Sequence, residues 1–156
     1  MKSVIALVLL LFISSTHAAT LYLTRHFEKG DGDDPSLTSQ GQSRAEKLAV
    51  MLADKPISAI YATPYKRTQE TVIPLSKATS VEITTYDPKK LKALARTLKK
   101  NNASAVIAGH SNTTPELIRY LGGPAFSISE QDYGTLFILE FVDGHTNVTL
   151  QRVPKQ

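Results

Sequence analysis

Apolar residues dominate Leu21-Tyr22-Leu23, and the run ends on Thr24-Arg25-His26-Phe27-Glu28, which predicts a short strand with a charged pair at its C-terminal end. The next apolar pattern is helical. Ala45, Leu48, Ala49 and Leu52 recur at i, i+3, i+4 and i+7, behind Leu37-Thr38-Ser39-Gln40-Gly41 with Thr38 as the N-cap. Ile57 to Ala62 reads as a second strand. Thr63-Pro64 then caps and opens a helix with Arg67 one turn in, and Pro74 is expected to kink or end it. Val81 to Thr85 reads as a strand, and Asp87-Pro88 as the cap and first turn of a helix burying Leu91, Leu94, Ala95 and Leu98. Ala103 to Gly109 has the small and aliphatic composition of a strand buried on both faces.

Thr114-Pro115 starts another helix, with Leu117, Ile118 and Leu121 inward, and Gly122-Gly123-Pro124 stops it. Thr135 to Val142 and Thr146 to Val153 flank Asp143-Gly144-His145, a strong hairpin signal that leaves His145 in the turn, exposed and inert. Strands alternating with helices predict a three-layer α/β/α sandwich, with a mostly parallel sheet and an antiparallel C-terminal strand.

Residues 1–18 break this alternation. Lys2 precedes an apolar run from Val4 to Ile13, and Ser14-Ser15-Thr16-His17-Ala18 supplies a small-residue end. A run of about ten residues is well short of the roughly 20 that span a bilayer as a helix. The order of regions is that of a secretory signal peptide, cleaved after Ala18 or, next, Ala19. Export to a periplasm or the exterior is therefore expected, with no stable membrane anchor after cleavage. Residues 19–156 then form a single domain.

Composition narrows the chemistry. The chain has no cysteine, which excludes disulfides, a thiolate nucleophile and Cys-ligated zinc. Its formal charge is +4, and removing Lys2 with the leader lowers it to +3. That bias is too small to call for nucleic acid, but it favours anionic substrates. The acidic loop Lys29 to Pro35 lacks the later ligands of a calcium loop and reads as a solvated border of a site. The basic face of the Leu91 helix, with Lys89, Lys92, Arg96 and Lys99, reads as solvated.

Three strand ends or helix starts carry Arg25-His26, Arg67 and Gly109-His110-Ser111-Asn112. In an open α/β sheet, ligands bind beyond the carboxyl ends of the strands, and helix N-termini there favour anions. Taken singly, Arg67 reads as a surface arginine and His110 as a hydrogen-bonded structural histidine. Together, two guanidiniums and two imidazoles without a carboxylate metal-ligand cluster suit a tetrahedral dianion attacked by nitrogen.

These motifs resemble the histidine phosphatase (phosphoglycerate mutase-like) superfamily over nearly the whole mature chain. They comprise Arg25-His26, Leu37-Thr38-x-x-Gly41, Thr63-Pro64-x-x-Arg67-Thr68 with Thr71, and Gly109-His110-Ser111-Asn112, in that order. The resemblance implies that His26 is the nucleophile and passes through a phosphohistidine. Arg25, Arg67 and His110 would hold the phosphoryl oxygens, with Asn112 beside them, and no metal or cofactor would be needed. Two positions depart from the family pattern. Phe27 stands where the family usually has glycine, and Ser111 where the acid-phosphatase branch has aspartate. The proton donor is thus open between Asp87 and Glu28.

The function these readings support is an exported phosphomonoesterase acting on a small phosphorylated metabolite or envelope glycan. A phosphohistidine (protein) phosphatase and a non-catalytic phospho-ligand binder are the alternatives. Substrate identity is expected to reside in loops 28–35 and 123–133. A glycan at the Asn112 sequon would occupy the proposed pocket, which disfavours a glycosylating pathway and fits a bacterial envelope.

Overall fold

The computed structural model describes residues 19–155. The expected signal peptide lies outside the described residues. Among those residues, no helix is long and apolar enough to cross a membrane.

The elements in chain order are β1 (Thr20–Arg25), α1 (Ser39–Leu52), β2 (Ala59–Ala62), α2 (Lys66–Thr79) and β3 (Ile83–Thr85). They continue with α3 (Leu91–Asn101), β4 (Ala105–Gly109), α4 (Thr113–Tyr120), β5 (Thr135–Val142) and β6 (His145–Arg152). One six-stranded sheet has the order β3-β2-β4-β1-β5-β6. β3, β2, β4 and β1 are parallel neighbours, and β5 joins β1 antiparallel before turning into β6. The α/β fold and its largely parallel sheet agree with the periodicity.

Strand alternation divides the core in two. Tyr22, Ile60, Val106 and Ala108 face α1 and α2, meeting Leu48, Leu52, Val72 and Leu75. Leu21, Leu23, Ala105 and Ile107 face α3 and α4, meeting Leu94, Leu98, Leu117 and Ile118. β1 and β4 lie between both helical layers, so their side chains are buried on either face. Each fully buried Leu or Ile contributes about 1.5–3 kcal/mol.

Thr38 caps α1 through its hydroxyl, which accepts from the Gly41 amide at 3.2 Å. Gly41 is required by approach rather than by dihedral angle, since a Cβ there would lie 2.2 Å from the Glu28 carbonyl oxygen. The same segment is tied by the Thr38 amide, which donates to that carbonyl at 2.9 Å. Helix α1 is thereby pinned against the loop that leaves β1.

Four expectations need correction. Helix α2 begins at Lys66 rather than at Thr63-Pro64, because the Thr63 hydroxyl bonds Thr68 and His110 instead of a helix amide. Pro74 does not end α2, which runs on to Thr79. An internal proline costs about 3 kcal/mol, and complete burial of Val72 and Leu75 on either side offsets it. Asp87 does not cap α3, whose N-cap is Lys90. Its carboxylate instead accepts from the Lys89 amide at 2.9 Å, forming a separate turn ahead of the helix. His145 is the first residue of β6, paired with Val142, although it is exposed as expected. The turn is the two-residue Asp143-Gly144, with φ of 49° and 78°, as a type I′ hairpin requires.

Candidate active site

The parallel pairing of β1 with β4 sets Arg25 beside Gly109, and the His26 amide donates to the Gly109 carbonyl at 2.9 Å. The next residue on each strand is a histidine, so adjacent strand ends deliver His26 and His110 together. Their ring centroids are 5.6 Å apart at an interplanar angle of 67°. Gly109 has no room for a side chain, since a Cβ would meet the Thr114 hydroxyl at 2.9 Å. Arg67 arrives from the first turn of α2. Arg25, His26, Arg67, His110 and Asn112 all line one cleft of about 640 Å³, with Lys29 and Lys89 also in its wall.

His26 is 3% exposed. Its Nδ1 lies 2.8 Å from the Phe27 carbonyl oxygen, which can only accept, so Nδ1 carries the hydrogen and Nε2 keeps the lone pair. Burial lowers its pKa to about 4, against the opposing Phe27 carbonyl and with help from the charges of Arg25, His110 and Arg67. His110 is likewise lowered to about 4 by burial, then by Arg67 and Arg25. Its Nε2 shares a hydrogen bond with the Thr63 hydroxyl at 3.0 Å. Both rings are therefore neutral near pH 7, and His26 is in the form that can attack.

Phe27 stands where the resemblance implies a glycine, and its backbone is not in the left-handed region. It is fully buried in the α1–α2 half of the core, and its amide donates to the Thr71 hydroxyl at 3.1 Å. Thr71 in turn donates to the Arg67 carbonyl at 2.7 Å, linking the two halves of the cleft.

The two arginines are held in different ways. Arg25 donates from Nη1 to the Ser129 carbonyl at 2.8 Å and from Nη2 to the Glu130 carboxylate at 2.7 Å. The Tyr133 ring lies 4.4 Å from its guanidinium carbon. Arg67 stacks on Tyr65 at 4.6 Å and pairs with Asp34 at 3.7 Å. The Nε of each is buried and lacks a hydrogen-bond partner within the protein. Leaving a buried donor unpaired costs about 1–3 kcal/mol, which fits a site that awaits an anion. Among the described residues, no group of three His, Asp or Glu side chains is arranged to hold a metal.

The two candidate proton donors are not brought into this cleft. Glu28 turns toward α1, where Arg44 Nη2 and Nε donate to its carboxylate at 2.5 and 3.0 Å. Burial alone would raise its pKa, but the hydrogen bonds and charge of Arg44 hold it below the usual carboxylate value. Asp87 is exposed and occupied by the Lys89 amide, and its neighbours Pro88 and Lys89 line the cleft in its place.

Sequence reading did not single out Glu130, Tyr133, Tyr65 or Arg44. Glu130 and Tyr133 belong to an irregular segment with no periodic signal, and they reach Arg25 only because β5 folds back beside β1. Arg44 did carry a signal, as a charged residue one position before Ala45 on the buried face of α1.

The family model described as histidine phosphatase superfamily (branch 1) matches residues 17–88, the stretch bearing Arg25-His26, Thr38, Gly41 and Arg67. Over residues 17–88 the chain is similar to the histidine phosphatase superfamily. No curated protein matches it. Among solved structures, a putative alpha-ribazole-5′-P phosphatase from Escherichia coli K-12 is 13% identical with a TM-score of 0.71, covering 87% of this chain and 97% of that one. The protein histidine phosphatase SixA complexed with tungstate is 14% identical with a TM-score of 0.69, covering 86% and 97%. A mycobacterial glucosyl-3-phosphoglycerate phosphatase with inorganic phosphate is 12% identical with a TM-score of 0.68, covering 86% and 96%. At these identities the solved structures establish the shared fold. The match to the histidine phosphatase family model supports a phosphatase activity for the chain.

Proposed function

We propose that the chain is an exported, metal-independent phosphomonoesterase whose His26 is phosphorylated during turnover. The observation that carries this reading is the state of His26. Its Nδ1–H is spent on the Phe27 carbonyl, and Nε2 remains nucleophilic in a residue lining a cleft with Arg25, Arg67 and His110. Phosphoryl transfer depends mostly on positioning and charge stabilisation. Hydrogen bonds to charged groups contribute about 1.5–3 kcal/mol each, so the two guanidiniums can supply the charge that a metal supplies elsewhere.

The chemistry runs in two steps. Nε2 of His26 attacks phosphorus and expels the alcohol, and water then attacks the phosphohistidine to release phosphate. Turnover of an aryl phosphate, followed by acid-free quenching, should trap an acid-labile phosphoryl group on His26. Chelators should leave the rate unchanged, and vanadate should lower it. Loss of activity in a chelator, restored by a divalent ion, would refute the mechanism.

The order of charged, apolar and small residues in 1–18 supports export. N-terminal sequencing of the secreted protein should begin at Ala19 or Thr20, and recovery of membrane-embedded protein starting at Met1 would overturn it. The substrate is a small phosphorylated metabolite or an envelope glycan. A second reading, a phosphatase of protein phosphohistidine, draws on the likeness to SixA. Preference for a phosphohistidine peptide over every phosphomonoester would select it. Phosphate binding without turnover of any substrate would instead select a non-catalytic binder.

A further inference from the structure

We propose that Glu130 is the proton donor to the leaving group, and that it reaches this role by giving up Arg25 to the incoming phosphoryl group. The proposal rests on the phosphohistidine reading of His26. A leaving alkoxide needs a proton, and among the described residues Glu130 is the only carboxylate in the wall of the cleft. The other acids near it are committed elsewhere. Glu28 holds buried Arg44, Asp87 accepts from the Lys89 amide, and Asp34 pairs with Arg67 while accepting from the Lys66 amide at 3.0 Å.

Glu130 occupies a place that a phosphoryl oxygen would take. Its Oε2 sits on Arg25 Nη2 at 2.7 Å, while Oε1 accepts from the Ser111 hydroxyl at 2.6 Å. The Glu130 side chain is 69% exposed and that of Arg25 only 3%, so the acid can swing out while the base cannot. Without a ligand, the Ser111 hydrogen bond and then Arg25 keep Glu130 ionised, its pKa below the usual carboxylate value. A dianion that displaces it from Arg25 replaces a neighbouring cation with a neighbouring anion, and both changes raise its proton affinity. The substrate thus creates the acid that it needs.

The steps balance. Glu130 takes up a proton from solvent as the phosphoryl dianion displaces it from Arg25. As His26 Nε2 then forms the N–P bond, the ester P–O bond breaks, and the departing oxygen takes that proton from the Glu130 carboxyl to leave as alcohol. Glu130, now a carboxylate, then takes a proton from water as that oxygen bonds phosphorus. The N–P bond breaks, and neutral His26, protonated Glu130 and phosphate remain.

The test is Glu130→Gln in the mature protein, assayed on an alkyl phosphate and on nitrophenyl phosphate, whose leaving group departs without a proton. A donor role predicts a loss of about 10²–10⁴ on the alkyl ester, against less than about tenfold on the aryl ester. Titration with inorganic phosphate should show tighter binding by the variant, because the neutral amide competes less well for Arg25. Equal losses on both esters, or a gain on both, would overturn the donor role and leave Glu130 a counter-ion only. If wild-type protein forms no adduct on His26, the mechanism falls and this proposal falls with it. If the adduct forms and the variant shows no leaving-group dependence, the assignment of Glu130 alone fails.

Discussion

Two arginine–glutamate pairs each use a residue at or just after the end of β1, Arg25 in one and Glu28 in the other, and they are built for opposite purposes. Arg44 and Glu28 are both withdrawn from solvent, with side chains 1% and 12% exposed. Arg44 spends Nε and Nη2 on Glu28 and Nη1 on the Val153 carbonyl, joining α1, the loop after β1 and the end of β6. Arg25 is equally buried, but its partner Glu130 is largely exposed and its Nε is unpaired. The arginine side chains are the same; burial of the acid and the number of satisfied donors differ. A saturated pair locks structure, whereas an unsaturated one with a removable acid is ready to exchange its partner for a ligand.

The contrast can be broken most directly at Arg44. Arg44→Met leaves Glu28 without its cation and should cost about 3–5 kcal/mol of stability, read as a lower urea midpoint, with activity per folded molecule little changed. Arg25→Ala should do the reverse, lowering kcat by about 10²–10³ while the urea midpoint moves much less. An exchange of these two outcomes would invalidate the division between lock and ligand site.

Acid should separate the regions further. His26 and His110 stay neutral down to about 4 in the folded chain, whereas the unfolded chain takes up those protons near roughly 6.5. Between these values the unfolded state binds more protons, so stability should fall as pH is lowered. Glu28 contributes through its lowered pKa, present above about 4.3 and lost as pH falls through its folded value. Urea titrations at several pH values should therefore show His26→Asn shrinking the slope above pH 4.5, and Glu28→Gln altering only the more acidic part.

A smaller effect is expected at Gly41→Ala, where the new Cβ presses on the Glu28 carbonyl. Overpacking of this kind should cost about 1–3 kcal/mol, measured by thermal melting. Glu130→Ala should be the mildest for folding, within about 1 kcal/mol, because its carboxylate is exposed. A melting change as large as that of Arg44→Met would mean that the Arg25 pair is structural as well.

Periodicity was sufficient for the layers. The i, i+3, i+4 spacing in α1 and α3 and the small aliphatic run of β4 encode local geometry directly, and those residues are buried as expected. Helix starts were read less well at Thr63 and Asp87. Each has the composition of a cap, but a hydroxyl or carboxylate also bonds whatever lies nearest, and folding presents His110 to Thr63 and the Lys89 amide to Asp87.

The sequence by itself determined that Arg25-His26 and Gly109-His110 end buried strands and that Arg67 opens a helix. Strand order in an α/β sheet then leaves the carboxyl edge as their common meeting place. Tertiary structure alone decided which acids stand beside them. Glu28, two residues after His26, is drawn away because Gly41 lets α1 approach closely enough for Arg44 to capture it. Glu130, 104 residues after His26 in the chain, is brought in because β5 pairs with β1 and carries its preceding loop over Arg25. Local patterns record which face of an element is apolar. The pairing of side chains across such distances depends on the folded path of the backbone, which no local pattern encodes.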